Sequence, residues 1–338
     1  MYKEVHMVKS WNQAGWMAWT VAVAAGWSAG AMAAETFPSK PIRIVVGNAV
    51  GGVDDIWARR YAQQMSERLQ QTVVVDNRPG ASGTLAAMEV LKAPKDGYTL
   101  LYGGMASLIQ FPSAGGTVRY KPKEDFEPVA MATLGYPVLT AGSNSWAKSI
   151  QDLVHKAKAA PANADAYSCG TSGQAATSHF ACMMVAKAVG AEFKPVPYKG
   201  GSLAATDAAS GHVDFAVGFY GEISPLTLGK RLTPLVVFSP KRFPLYPDTP
   251  TVKEVGLEGL EMVSFSAFFA PKGTPAEVVQ RLNTTVIQSF HTPQMERWLS
   301  DAGAFYQDMS PAELKAFYFK EIDLWKQRSV EHGIRVEQ

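Results

Sequence analysis

The stretch Gly47-Asn48-Ala49-Val50-Gly51-Gly52-Val53-Asp54-Asp55 holds the residue types that chemistry would use first. Adjacent Gly51 and Gly52, flanked by Val50 and Val53, let a ligand reach bare backbone. A helix opening beside them presents unpaired N–H groups at the positive end of its dipole, which suits a small anion. The spacing fits neither the dinucleotide fingerprint G-x-G-x-x-G nor a phosphate loop, since no Gly-Lys-Ser/Thr follows. A plain strand-to-helix turn is the competing reading. A second run, from Gly170 through Thr171, Ser172, Gly173, Thr177 and Ser178 to His179, crowds hydroxyls and free N–H groups before another helix. Its serines and His179 raise the alternative of a Ser–His nucleophile. Against that, G-x-S-x-G is absent: Gly80-Ala81-Ser82-Gly83 and Gly170-Thr171-Ser172-Gly173 both miss the spacing. Consecutive residues at a helix start also seldom aim at each other. Gly103-Gly104-Met105-Ala106-Ser107 and Tyr198-Lys199-Gly200-Gly201 complete the candidates, through Met105, Ser107 and Lys199. The six histidines are scattered without H-x-x-x-H or C-x-x-C spacing, so no metal site and no cofactor are expected.

These residues need elements to hold them. Pro41–Val46 is β-branched and apolar and reads as a buried strand; Asp54 and Asp55 are N-cap candidates for a helix running through Met65 and Leu69. Gln71–Asp76 is a second strand, ending in the turn-forming loop Asn77–Gly83 before a helix from Thr84 to about Lys92. Asp96-Gly97 turns into the strand Tyr98–Tyr102, closed by the loop Gly103–Ser107. Strands alternating with helices indicate a parallel sheet, whose ligands sit at the carboxyl ends of the strands. Both glycine loops lie at that end.

A second α/β unit follows. Val138–Ala141 is a strand, Ser149 caps a helix with Asp152 near N3, and Tyr167–His179 reads as a long loop leading into the helix Phe180–Val189. Strands at Lys194–Pro197, Val213–Val217 and Leu235–Phe238 complete the unit. Val263–Ala270 alternates small with bulky residues and should return the chain to the first unit. Three helices finish it: one capped by Thr274, one at Pro293–Asp301, and one opened by Ser310, whose Leu314, Phe317, Ile322 and Trp325 form a core stripe. The predicted organisation is a leader over 1–33, a first domain from 34–136 and 251–338, and a second domain over 137–250. Crossings are expected near Gly135–Pro137 and between about Pro247 and Val263.

The leader reading rests on basic Lys3 and Lys9, the apolar run Trp16–Ala25 and an A-x-A site at Ala31-Met32-Ala33, with the cut after Ala33. Met1 and Met7 are both candidate starts. An uncleaved anchor fits less well, since Gly26, Ser28 and Gly30 interrupt the run. Without residues 1–33 the chain carries 30 Lys and Arg against 29 Asp and Glu, and a balance near zero argues against nucleic acid. Cys169 and Cys182 are the only cysteines, and their pairing is left open.

At this point the residues carry a family likeness. PSKPIRIVVGNAVGGVDDIWARR, VVVDNRPGASGTLAA, KAPKDGYTLLYG, VPYKGGSLAATDAASGHVDFAV, PDTPTVKEVGL and FFAPKGTPAEVVQRLN resemble the solute receptors of tripartite tricarboxylate transporters, the Bug-type periplasmic binding proteins. The resemblance implies a two-domain α/β fold of the type II periplasmic-binding-protein (flytrap) kind, with two parallel or mixed sheets. It also implies a periplasmic monomer that binds a small carboxylate and hands it to membrane permease subunits, without catalysis. By position, the family's ligand loops match Gly51, Gly52 and Asp55, and the stretch Gly170–His179. Gly47 and Val50 replace usual prolines, and the Tyr167–His179 segment is longer than usual. Asp54 stands where Ser or Thr is common and, to avoid repelling a carboxylate, is expected to turn outward. Phe111 replaces a common Asn, and Phe219 and Tyr220 fall at a common Asp-Asn pair. That loss of polarity favours an aromatic carboxylate or a plain aliphatic dicarboxylate over citrate or aspartate. A sensor subunit for a membrane kinase would share this fold and pocket, and a Ser/His hydrolase is the third alternative.

Overall fold

The structure is a computed structural model that describes residues 37–159 and 166–336. The expected leader, its cut after Ala33 and the choice of start lie outside the described residues. The chain opens with β1 (Ile42–Val46), α1 (Val53–Leu69), β2 (Val73–Asn77), α2 (Thr84–Leu91) and β3 (Thr99–Gly104). A π-helical turn, Met105–Gln110, leads through short α3 (Phe111–Ser113) and α4 (Pro122–Asp125) to β4 (Phe126–Gly135). The middle of the chain supplies β5 (Val138–Gly142), α5 (Ile150–Ala159), β6 (Tyr167–Thr171), α6 (Thr177–Val189), β7 (Phe193–Pro197), α7 (Gly201–Ser210), β8 (Phe215–Gly218), α8 (Tyr220–Leu228) and β9 (Leu232–Val237). It closes with β10 (Ser264–Pro271), α9 (Ala276–Phe290), α10 (Pro293–Ala302) and α11 (Pro311–Glu331).

Two five-stranded sheets result, ordered β2-β1-β3-β10-β4 and β7-β6-β8-β5-β9. Each begins with three parallel strands and ends with an antiparallel fourth strand that carries a fifth beside it. In each sheet the fourth strand arrives from the other lobe: β10 comes back from the second, and β5 comes directly from β4. The chain passes between sheets at Tyr136-Pro137 and through residues 238–263. The two passages run side by side, since Gly135 pairs with Ser264 and the Phe238 N–H donates to the Pro137 carbonyl at 3.1 Å.

Burial explains the strands. Ile42, Ile44, Val45 and Val46 of β1 are fully buried, as a strand covered on both faces requires. Beneath it Tyr61 lies edge-on to Phe268 at 5.4 Å, and its hydroxyl donates to the Ala132 carbonyl at 2.7 Å. Ser310 caps α11 as expected, accepting from the Glu313 N–H while Glu313 accepts from the Ser310 N–H. Cys169 and Cys182 form a disulfide between β6 and α6.

Several elements differ from the sequence reading. β4 was not legible as a strand because Pro128 interrupts it; on the edge of its sheet, with a register shift opposite, the missing N–H costs little. Tyr167–Thr171, read as loop, is the inner strand β6. Gly170 in it is bare because α7 lies against it: a Cβ there would stand 3.0 Å from the Cβ of Ala204. Met105–Gln110 coils instead of looping. Gly52 takes the N-cap of α1 in place of Asp54 or Asp55, and Pro275 takes that of α9 while the Thr274 hydroxyl donates to the Pro271 carbonyl at 2.8 Å.

The α11 stripe packs inward, and Trp325 meets Phe180 of α6 edge-to-face at 4.7 Å. Trp325 is wholly buried, with its indole N–H donating to Glu321 at 3.0 Å. Trp325→Ala should therefore cost about 3–5 kcal/mol, from the lost contacts and the cavity left behind, measured as a lower urea midpoint at unchanged slope.

Candidate functional site

A cavity of about 220 Å³ lies between the two lobes, at the carboxyl ends of β1, β3 and β6. The first lobe lines it with Gly47 and Asn48 after β1, Ser82 and Gly83 after β2, and Gly104 to Ser107 with Gln110 after β3. Asp54, Tyr102 and the strand β10, through Ser264, Phe265 and Ser266, complete that wall. The second lobe adds Ser172, Ala176, Thr177 and Phe219. Close backbone approach sets this shape. A Cβ on Gly47 would lie 2.7 Å from the Gly83 Cα, so the loops after β1 and β2 touch main chain to main chain.

Of the residues singled out in the sequence, the structure brings Met105, Ser107, Ser172, Thr177 and Phe219 to this cavity. Others it places elsewhere. Val50 and Val53 are exposed, and Gly51 and Gly52 are not in the lining. The Gly51 N–H donates to Asp55 at 2.8 Å and the Gly52 N–H to the Ala49 carbonyl at 3.0 Å, so neither points to the cavity. Gly52 also has a φ of −70°, which any residue adopts, though a Cβ there would lie 3.0 Å from the Ala49 carbonyl oxygen. Gly170 and Thr171 are buried inside β6, and Gly173 receives the Thr171 hydroxyl at 3.3 Å. Lys199 is exposed. Phe111 lies on α3 against Gly116, and Tyr220 packs into the second lobe on Phe243 and Tyr246. Two of the three aromatic replacements thus stand outside the cavity, which withdraws most of the ground for ranking plain diacids above amino or hydroxy acids.

Asp55 acts on the cavity through the loop. At 2% exposure its carboxylate accepts from Gly51, from the Arg59 guanidinium at 2.9 and 3.1 Å, and from the Asn77 amide at 2.8 Å. Asn77 also donates to the Asn48 carbonyl at 3.0 Å, pinning the loop that carries Gly47 and Asn48. Burial would raise the Asp55 pKa, but the bonds from Arg59, Gly51 and Asn77 and the Arg59 charge hold it below the usual carboxylate range.

Asp54 reverses expectation. It faces inward, half-buried in the cavity wall, and accepts from the Ser266 hydroxyl at 2.7 Å. Burial raises its pKa and the Ser266 bond offsets part of the rise. No lysine, arginine or histidine lines the cavity among the described residues. Tyr102, the other titratable group there, is pushed well above the ordinary phenol range, chiefly by burial, and stays neutral.

Ser172, Ser178 and His179 do not form a catalytic pair. The Ser178 hydroxyl receives the Ser172 N–H at 2.8 Å, and the two serine hydroxyls bond at 2.9 Å. His179 Nδ1 accepts from the Ala175 N–H at 3.0 Å, and burial lowers its pKa, so the ring serves the turn before α6 as a neutral acceptor. Across the cleft the Gln110 amide donates to the Thr177 hydroxyl, joining the π-helical turn to the first residue of α6. Among the described residues no group of three or more His, Cys, Asp or Glu could hold a metal ion.

The sequence reading missed Gly47, Asn48, Ser82, Gly83, Gln110, Ser264 and Ser266 as lining residues. One signal was available for the last two. In a strand, residues two apart share a face, so the hydroxyls in Ser264-Phe265-Ser266 had to point the same way.

A two-lobed α/β frame with a hydroxyl-lined cleft between the lobes is the architecture of a solute-binding receptor of the periplasmic-binding-protein class. The chain belongs to the tripartite tricarboxylate transporter receptor family, whose model matches residues 57–331. A protein from the tcbD-tcbE intergenic region of Pseudomonas sp. (strain P51) is 33% identical over 308 residues, 90% of each chain. Rpa4515 of R. palustris, solved with adipate, superposes at a TM-score of 0.77 with 32% identity, covering 88% of this chain and 99% of that one. The periplasmic binding protein BugD gives a TM-score of 0.74 at 29% identity, covering 89% and 100%. The family and fold are those of periplasmic receptors, not enzymes.

Asp55→Ala should remove the clasp and strip Arg59 and Asn77 of their carboxylate acceptor, leaving only the Arg59–Asn77 and Asn77–Asn48 bonds. We expect a loss of about 2–3 kcal/mol in urea unfolding at pH 7, shrinking as pH falls through the depressed pKa of the wild-type carboxyl, where protonation removes the same stabilisation.

Proposed function

We propose that the protein captures a small carboxylate in the cavity between its lobes and delivers it to the permease subunits of a tripartite tricarboxylate transporter. One observation carries the reading: the cavity lies where two helix-bearing loops face each other, with the start of α6 on one wall and hydroxyls, amides and the single carboxyl of Asp54 on the other. The first-turn N–H groups of Thr177 and Ser178 have no partner within α6 and stand at its positive dipole end. Ser82, Ser107, Ser172 and Ser264 add hydroxyl donors around them. Micromolar affinity requires about 8 kcal/mol, and charge-assisted bonds contribute roughly 1.5–3 kcal/mol each, so four or five donors suffice. The adipate bound by the Rpa4515 relative supports the ligand class.

In this reading Met105, Ser107, Ser172, Thr177 and Phe219 contact the solute, while Asp55, Gly51 and Asn77 hold the loop in register. The side-by-side passages at Tyr136-Pro137 and 238–263 support domain limits of 34–136 with 251–338 for one domain and 137–250 for the other. The receptor works as a monomer after removal of residues 1–33, and N-terminal sequencing of the exported protein should begin at Ala34.

A thermal-shift panel tests the ligand class. Diacids, amino diacids and aromatic acids are each paired with their neutral amides. A bound ligand at a thousandfold its dissociation constant adds about 4 kcal/mol, hence a rise of several degrees in Tm. We expect at least one carboxylate to produce it and its amide to produce none. An amide that stabilises as well as its acid would overturn the carboxylate reading.

A further inference from the structure

We infer that Asp54 is a specificity-determining residue that selects solutes carrying a protonated nitrogen, so that the ligand is an amino carboxylate. The inference rests on the carboxylate-receptor reading and refines it. Asp54 is the one carboxyl in the cavity lining, and no cationic side chain lines that cavity among the described residues. Its neighbour Ser266 occupies one oxygen, Oδ1, through its hydroxyl. The other oxygen, Oδ2, lies beside the backbone of Gly103, where a Cβ would come within 3.0 Å of it. The nearby cations are committed elsewhere: Arg59 to Asp55 and Asn77, and Arg60 between the rings of Trp57 and Trp298 at 4.6 Å each.

Charge then decides the ligand. A solute that is only a carboxylate would set a second acidic group against Asp54, whose pKa burial already raises, and carboxylates sharing such a space disfavour each other's ionisation. An ammonium group placed at Asp54 removes that conflict and gains a charge-assisted hydrogen bond. The solute's carboxylate then falls to the opposite wall, at the start of α6, where donors are neutral. An amino carboxylate is thus complementary to both walls, and a plain diacid to one.

A purely structural role for Asp54, fastening α1 to β10 through Ser266, would weaken all ligands alike. The test therefore reads a ratio. Calorimetric titrations compare succinate with aspartate, glutarate with glutamate, adipate with 2-aminoadipate and 3-phenylpropionate with phenylalanine, on the wild type, Asp54→Asn and Asp54→Ser. Asn keeps the acceptor for Ser266 while removing the charge. We expect the amino member of at least one pair to bind the wild type ten-fold or more tighter than its partner, and the ratio to fall near one, or invert, in both variants. For the wild type the amino member should bind more weakly as pH falls and Asp54 takes up its proton. The plain acid, while itself ionised, should bind more tightly over the same range, with Tyr102 neutral throughout. Plain acids that bind as well as amino acids, or a ratio that survives Asp54→Asn, would overturn the inference and leave the receptor reading standing. If no amino member binds the inference also falls, and if no carboxylate of any pair or of the thermal panel binds, both fall.

Discussion

A carboxylate that is almost wholly buried persists only when its hydrogen-bonding capacity is filled, and Asp55 meets that condition with donors from three directions. One donor is the Gly51 N–H in the loop before the helix, one is Arg59 a turn further along it, and one is Asn77 at the end of the neighbouring strand. The same Asn77 reaches the Asn48 carbonyl, so one carboxylate fixes a loop, a helix start and a strand end together. The cavity wall then follows. With this loop held, Gly47 can rest on Gly83, Asp54 is turned inward by its place on α1 beside Asp55, and Ser266 comes within reach of it.

The glycines of the first loop therefore serve a different end from the one their chemistry suggests. Gly51 and Gly52 have the bare N–H groups of an anion cradle, but those groups are spent on Asp55 and on Ala49. A similar economy governs the second lobe. Glu222 of α8 accepts from the Gly201 N–H that opens α7, at 3.2 Å, and from the Phe219 N–H that opens its own helix, at 2.9 Å. A Cβ on Gly201 would collide with that carboxylate at 2.2 Å. The Tyr198-Lys199-Gly200-Gly201 motif is thereby explained by packing, with Lys199 exposed beyond it.

What was legible in the sequence was local. β1, its glycine turn and α1 follow from contiguous residues, as does the capping box of Ser310 and Glu313, and the alternation in Val263–Ala270 announced a returning strand. What was not legible depends on residues far apart in the chain. β4 carries a proline that only an edge position tolerates, and β6 looks like a loop until α7 is laid against its Gly170. Asp54 reads as an N-cap candidate, because nothing nearby reveals Ser266, which lies 212 residues away. Gln110 and Thr177, 67 residues apart, face each other only when both lobes are in place. The fold class was thus within reach of pattern and resemblance, while the lining of the cavity was set by tertiary pairing.

The swapped fourth strands connect this lining to the way the lobes are joined. Because β5 and β10 each continue from the opposite lobe, the dipeptide Tyr136-Pro137 and the end of the longer run 238–263 lie next to each other where the lobes join. Ser264 is opposite Gly135 at this junction, and it also lines the cavity with Ser266 two residues further along β10. Cavity lining and interlobe strand are therefore one element. Among the described residues the cavity's side chains apart from Asp54 are neutral, so no lining cation bears a desolvation cost there. Asp54 is the exception to that neutrality. It sits on the wall formed by α1 and β10, held by the Ser266 hydroxyl and facing the space between the lobes.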